Sequence, residues 1–210
     1  MHAYDYLRRH AGRTCIRERG FTMVEVLVTI LILTIGLLGL AGMLSKAFSA
    51  ESESYQRAQA AIFLNDMVDR ISANRLTAKC FAQSYGSGVT SITACINLPG
   101  VSGAAMDSAT LGIQDIQTQL LGSAETTSSG ATKVGGALNA RACILQDTGD
   151  ATIYDLAVAW QGLAPTVAPT APSGANTSLV NVVACGNGSY GSNDALRRLV
   201  WTSVRIANLT

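Results

Sequence analysis

One acidic residue, Glu25, lies near the start of an otherwise apolar stretch that runs from Phe21 to Leu44. A carboxylate at the centre of a membrane helix costs roughly 2.5–3.5 kcal/mol, and less near the end of the helix. Most membrane anchors avoid that cost. We therefore expect the protein to use Glu25, which makes it the first candidate for a functional residue.

The apolar stretch is long enough to cross a lipid bilayer. About twenty residues in a helix, at ~1.5 Å each, span the ~30 Å hydrocarbon layer. Residues 1–20 contain five arginines against two acids, Asp5 and Glu18. Because basic residues flanking a span tend to stay in the cytoplasm, this pattern predicts a single-pass membrane protein whose C-terminal part lies on the other side of the membrane.

The remaining composition argues against several classes of function. Both histidines, His2 and His10, lie in the basic leader, so removal of the leader would exclude Ser-His or Cys-His catalysis and His-ligated metals. Residues 21–210 hold 15 − 5 = 10 basic and 14 − 2 = 12 acidic groups, a net charge of −2. Since nucleic-acid binding needs clustered cations, we expect no nucleic-acid partner. The lack of histidine beyond the leader leads us to expect no enzyme activity, no metal and no cofactor.

Two short motifs have plausible structural explanations. Asp147-Thr-Gly matches the triplet of aspartic proteases, but such catalysis needs two carboxylates on separate loops, and the triplet occurs once. We interpret it as a turn between strands. Arg197 and Arg198 are neighbours in a predicted strand, so their side chains should point to opposite faces and form no common DNA-binding patch.

Four cysteines follow the apolar stretch: Cys80, Cys95, Cys143 and Cys185. They contain no C-x-x-C pair, and four cysteines beyond a membrane segment favour two disulfides over free buried thiols or a zinc site. Three pairings are possible. We favour Cys80–Cys95, which is local, and Cys143–Cys185, which would tie one predicted strand to the end of another.

The helical pattern continues beyond the membrane segment. No proline precedes Pro99, and apolar residues recur at steps of three and four. These features predict one helix over residues 21–76, although a break at residues 45–54 is an alternative. The predicted stripe that needs a packing partner consists of Ala58, Ala61, Leu64, Val68 and Ile71.

The second half of the chain predicts strands. Residues 77–138 look irregular, with one short helix at Ser108–Leu121. Alternation over Thr152–Gln161 and Leu196–Ile206 indicates two strands, and Ala142–Gln146 and Leu179–Val183 are shorter candidates. This order predicts an α+β fold in which the long helix covers one face of an antiparallel sheet.

Residues 19–25, Arg-Gly-Phe-Thr-Met-Val-Glu, resemble the processing site of the type IV pilin family. The family pattern is a basic leader ending in glycine, an aromatic first mature residue, and glutamate four residues later. The resemblance implies that the prepilin peptidase cleaves between Gly20 and Phe21 and that Phe21 is then N-methylated. It also implies that Glu25 pairs with the N-terminal amine of a neighbouring subunit during assembly.

Within this family, the apolar run and two later segments, YDLAVAWQG and RRLVWTSVRI, most resemble PilV-type minor pilins. The resemblance implies an inner-membrane protein that enters the pilus and helps to initiate it. Its expected partners are other minor and major pilins, the pilus assembly machinery and a tip adhesin. The alternatives are a minor pseudopilin of type II secretion and a membrane-tethered ligand- or DNA-binding protein that does not assemble.

These predictions divide the chain into five parts. The expected parts are a leader at 1–20, a membrane and fibre-core helix at 21–44, its amphipathic continuation at 45–76, an irregular connector at 77–138 and a sheet domain at 139–210.

Overall fold

The computed structural model describes residues 20–122 and 137–207. The leader up to residue 19, which holds Cys15 and both histidines, and most of the Gly-Ser stretch at 122–136 therefore lie outside the described residues. The chain divides into two compact units between Lys46 and Ala47, and each is described by itself. The elements, in chain order, are α1 (Met23–Ala73), a 3₁₀ helix (Arg75–Phe81), β1 (Ser84–Gly86), α2 (Gly103–Leu120), β2 (Arg141–Gln146), β3 (Ile153–Gln161), α3 (Thr177–Val183), a 3₁₀ turn (Ser192–Asp194) and β4 (Arg197–Arg205).

The long N-terminal helix is a single element, α1, of 51 residues. It passes through residues 45–54 as helix, in agreement with the absence of proline and the good helix formers there. It ends at Ala73, where the side-chain amide of Asn74 donates to the carbonyl oxygen of Arg70 at 2.9 Å. The side chain of Asn74 thus satisfies one of the last helical carbonyls.

The second unit is built on a four-stranded antiparallel sheet in the order β1-β2-β3-β4. Both long strands predicted from alternation are present, as β3 and β4. One strand was missed, because β1 comes from the segment predicted to be an irregular connector. Only three residues long, β1 shows no alternation that could reveal it, and its pairing with β2 defines it.

The second half of α1 packs on one face of this sheet and so confirms the predicted α+β fold. Its buried residues are Ala60, Leu64, Met67 and Ile71. The predicted stripe was correct at Leu64 and Ile71 but wrong at Ala58, which is exposed. The same core contains β3 side chains on one face, Tyr154, Leu156, Val158 and Trp160, as the alternation predicted.

The opposite face of the sheet is covered by α3, where a strand was predicted. The run Leu179–Val183 is rich in β-branched residues, which favoured the strand. Asn176, however, caps a helix there, since its side-chain oxygen accepts the N–H of Leu179 at 2.7 Å. Leu179, Val182 and Val183 are buried in a second cluster with Ala157 of β3. Burial against the sheet outweighs the strand propensity.

The short helix predicted at Ser108–Leu121 is longer, because α2 begins at Gly103. Its cap is Ser102, whose hydroxyl accepts the N–H of Ala105 at 3.3 Å. Ile113, Ile116 and Leu120, which recur at steps of three and four along this helix, are all buried. The missed first turn contains small residues without an apolar period, so only the serine cap could have indicated it.

Candidate functional site

The predicted processing junction lies just before α1. Gly20 and Phe21 belong to no helix or strand, and Phe21 is 82% exposed. Thr22 caps the helix: its carbonyl oxygen accepts the N–H of Glu25 at 3.1 Å, and its hydroxyl accepts the same N–H at 3.3 Å. The Gly20–Phe21 peptide bond is thus carried on an exposed, non-helical segment with a capped helix behind it.

Glu25 lies in the first turn of α1 and is exposed. An anion is favoured there by the helix dipole. Thr22-Met-Val-Glu25 also has the sequence pattern of a capping box, in which a threonine cap is followed by glutamate three residues later. Thr22 was not among the predicted site residues, although this spacing could have identified it. Glu25 is therefore suited both to starting the helix and to meeting a cation near its N-terminus.

The side chains that follow form an apolar surface that no described residue of the first unit covers. Every large apolar residue from Phe21 to Leu44 is between 44% and 91% exposed. The hydroxyls of Thr29 and Thr34 donate to the carbonyl oxygens of Val26 and Leu31, at 2.8 Å each. The threonine hydroxyls thus find acceptors within the helix, as a lipid surrounding requires. Among the described residues, α1 is the one helix long and apolar enough to cross a membrane.

Residues 15–41 match the family model described as the prokaryotic N-terminal methylation motif. The match covers the processing junction, Glu25 and most of the apolar surface. No curated protein and no solved structure matches the chain. The motif and the α+β fold support a type IV pilin-like or pseudopilin-like protein. They also fit anchoring in the inner membrane by a single span.

The globular unit, Ala47–Thr210, contains two disulfides. Cys80 is bonded to Cys95, and Cys143 is bonded to Cys185. The first closes a local loop of 15 residues next to the 3₁₀ helix after α1. The second links β2 to the residue that follows α3 by two positions. The two bonds therefore fasten segments of irregular chain to the 3₁₀ helix and to the sheet, respectively.

Arg197 and Arg198 of β4 point to opposite faces of the sheet, as predicted from their adjacency. The buried Arg197 guanidinium donates to the carbonyl oxygen of Val183 at 2.6 Å and lies 3.5 Å from the Asp194 carboxylate. Arg198 donates to Glu53 of α1 and, at 2.7 Å, to the carbonyl oxygen of Ala164. Both guanidiniums are occupied by this chain, which disfavours a DNA-binding patch at this strand.

The Asp147-Thr-Gly triplet forms a turn, as its single occurrence suggested. One carboxylate oxygen of Asp147 accepts the backbone N–H groups of Gly149 and Asp150, at 2.6 and 3.0 Å. Hydrogen bonds from Thr152, with a smaller effect of Arg205, lower the pKa of Asp150. The two carboxylates therefore have separate partners and do not form a pair that shares one proton. In the described part of the chain, no group of His, Cys, Asp or Glu residues could hold a metal ion.

Proposed function

We propose that this protein is a minor pilin of the PilV type, which leaves the inner membrane to become part of a type IV pilus. The observation that carries the proposal is the first half of α1, an apolar surface exposed on all sides with an acid in its first turn. The methylation motif over the same residues supports it. Such a surface needs lipid before assembly and other apolar helices afterwards.

In this proposal residues 1–20 are removed, and Phe21 becomes the methylated N-terminus. Cleavage creates a positively charged amine close to Glu25. Moving either ion alone into an apolar helix bundle costs several kcal/mol, whereas a paired amine and carboxylate recover much of that cost. Glu25 of one subunit pairs with the amine of its neighbour, and this pairing fixes the axial position of one helix against the next.

The globular unit, residues 47–210, lies in the periplasm before assembly and on the outside of the fibre afterwards. Its two disulfides support this placement, because disulfides form in the oxidising periplasm and are rare in the cytoplasm. The arginine-rich leader supports the same orientation. The protein acts with other minor pilins to initiate the fibre and presents a tip adhesin.

The test replaces Glu25 with glutamine, which keeps the size of the side chain and removes its charge. Glu25→Gln should be cleaved by the prepilin peptidase normally, but its amount in sheared pili should fall at least tenfold, because the subunit amine loses its counter-ion. Mass spectrometry of membranes and sheared pili measures both quantities. Glu51→Gln, at an exposed position of the same helix, is the matched control and should enter pili normally.

Normal incorporation of the Glu25→Gln subunit would refute the pairing. A deletion strain separates the pilin from a pseudopilin, which shares the N-terminal motif. Loss of piliation with intact protein secretion supports the minor pilin, whereas loss of secretion with normal pili supports a minor pseudopilin. Retention of residues 1–20 on the purified protein would instead indicate a membrane-tethered protein that does not assemble.

A further inference from the structure

The strand β4 ends the sheet and has an unpaired outer edge among the described residues. The N–H of Gly162 donates to the carbonyl oxygen of Leu196 at 2.7 Å, and the N–H of Ile206 donates to the carbonyl oxygen of Thr152 at 2.8 Å. Because the backbone N–H and carbonyl groups of successive residues point to opposite sides of a strand, those of the even-numbered residues of β4 point toward β3. The N–H and carbonyl groups of Leu199, Trp201, Ser203 and Arg205 therefore face outward.

This edge lacks the features by which proteins normally prevent strand addition. It contains no proline, and its central residues, Leu199–Val204, are uncharged. The charged residues at its ends are engaged within the chain: Arg198 with Glu53, and Arg205 with Asp150 at 2.8 Å. A nine-residue strand with a free edge of this kind is a template for pairing with another strand.

A groove of about 520 Å³ lies beside the start of β4, between this strand and α1. Its lining consists of Ala50, Glu53, Ser54, Arg57, Trp160, Arg198 and Leu199. Trp160 is only 2% exposed, and its indole Nε1 has no hydrogen-bond acceptor among the described residues. Trp160 therefore contributes a buried surface to the lining of the groove, and the exposed polar groups there belong to the other lining residues.

The charges around the edge indicate what kind of segment fits it. Arg57 is exposed on the groove and forms no ion pair within the described chain. A second β4 contains no acidic residue, so a second copy of this strand would bring no carboxylate to Arg57. The free arginine therefore favours a different segment that carries an acidic side chain.

We propose that the outer edge of β4 binds an extended segment of a different protein by strand addition. The segment has an uncharged, β-prone centre that pairs with Leu199–Arg205. A carboxylate of the segment reaches Arg57. This inference goes beyond the role of the apolar helix, because all its residues belong to the globular unit.

The experiment uses photo-crosslinking of the full-length protein in its own cells. The photoreactive residue p-benzoylphenylalanine replaces Ser54, which lines the groove, or Thr202, which lies in β4, in separate strains. We expect both strains to yield adducts with the same polypeptide, at residues a few positions apart in one extended segment. Adducts are scored on total membranes, so the result does not depend on fibre formation or on Glu25.

Two substitutions at one position test strand pairing. Trp201→Pro removes an outward N–H while leaving the ladder to β3 intact, and proline is tolerated on edge strands. It should lower adduct yield at least tenfold. Trp201→Val, which removes the same indole but retains the N–H, is the matched control and should remain within twofold of the parent. Both variants should keep their disulfides and a melting temperature close to that of the parent.

A second pair of variants keeps the test decisive if Trp201→Pro does not fold. Arg57→Ala should lower adduct yield at least threefold, whereas Arg75→Ala, at another exposed arginine, should leave it unchanged. The proposal is overturned by adducts between two copies of β4, by equal yields from Arg57→Ala and Arg75→Ala, or by the absence of adducts from both photoreactive positions.

Discussion

The two halves of α1 share one helical backbone but differ in what covers their side chains. Before Lys46 the residues are almost all apolar and almost all exposed. Beyond Ala47 the helix is rich in polar residues, yet it buries a narrow stripe of Ala60, Leu64, Met67 and Ile71 against the sheet and α2. The helix is therefore most apolar in the half that no described residue of its own unit buries.

This difference separates two sources of helix stability. In the second half, tertiary packing of an apolar stripe stabilises the helix, as in most globular proteins. Among the described residues of the first unit, none packs on the first half, so lipid or neighbouring helices must supply its apolar surroundings. The first half thus depends on surroundings that can change, either lipid or neighbouring helices, whereas the second half depends on fixed contacts within the globular unit.

The largest expected effect concerns the disulfide that supports the globular unit. Replacing both Cys143 and Cys185 with alanine should lower the free energy of unfolding by about 4 kcal/mol, because the bond closes a loop of 42 residues. The same change at Cys80 and Cys95, which are 15 residues apart, should cost about 3 kcal/mol. Denaturant unfolding in detergent, followed by tryptophan fluorescence, measures both values.

The helical signal of the first half should survive in these cysteine variants, since detergent replaces its surroundings. Complete loss of helicity in detergent would contradict the distinction between the two halves. Peptide mapping of the parent under non-reducing conditions provides the control, and a Cys95–Cys143 peptide would contradict the pairing on which both values rest.

The next prediction compares one kind of truncation in the two halves. Ile71→Ala removes a fully buried side chain and should destabilise the globular unit by about 2–5 kcal/mol. Leu37→Ala, at a residue that is 64% exposed, should change that stability by less than about 0.5 kcal/mol. Denaturant midpoints of the two variants measure the contrast. Equal losses would mean that the first half also belongs to the folded core.

The parts of the fold that have a strong periodic signal could be predicted from the sequence. The long helix, the alternation of β3 and the buried side of α2 follow from spacing alone. The opposite directions of Arg197 and Arg198 follow from adjacency in a strand, and their partners then depend on tertiary structure. The processing motif was also recognisable, because it consists of particular residues at fixed spacing.

Other features depended on contacts that sequence spacing does not encode. The run Leu179–Val183 has strand propensity, and its helical state comes from the Asn176 cap and burial on the sheet. The strand β1 is defined only by its pairing with β2. The groove beside Trp160 joins residues more than a hundred positions apart along the chain. Each of these required the assembled sheet.

The smallest expected effect is a pH dependence confined to the globular unit. Burial raises the pKa of Tyr190 to about 12, and its hydroxyl donates to the carbonyl oxygens of Asn139 and Ala159, at 2.9 and 3.3 Å. An unfolded tyrosine titrates near pH 10. The neutral form is therefore favoured in the folded state, and its stabilising contribution is fully present below about pH 10 and is lost as the pH rises toward 12.

Tyr190→Phe should cost about 1 kcal/mol at neutral pH, because it removes the hydroxyl that the carbonyl oxygens of Asn139 and Ala159 share as a donor. It should also flatten the fall in stability between pH 10 and 12, since phenylalanine has no proton to lose. Denaturant unfolding at several pH values measures both effects, with Tyr55→Phe, at an exposed tyrosine of α1, as the control. An unchanged slope would mean that Tyr85 and Tyr154, whose pKa values are also raised by burial, carry the alkaline sensitivity. In either case the sensitivity arises from buried side chains of the globular unit, because no tyrosine lies between Phe21 and Leu44.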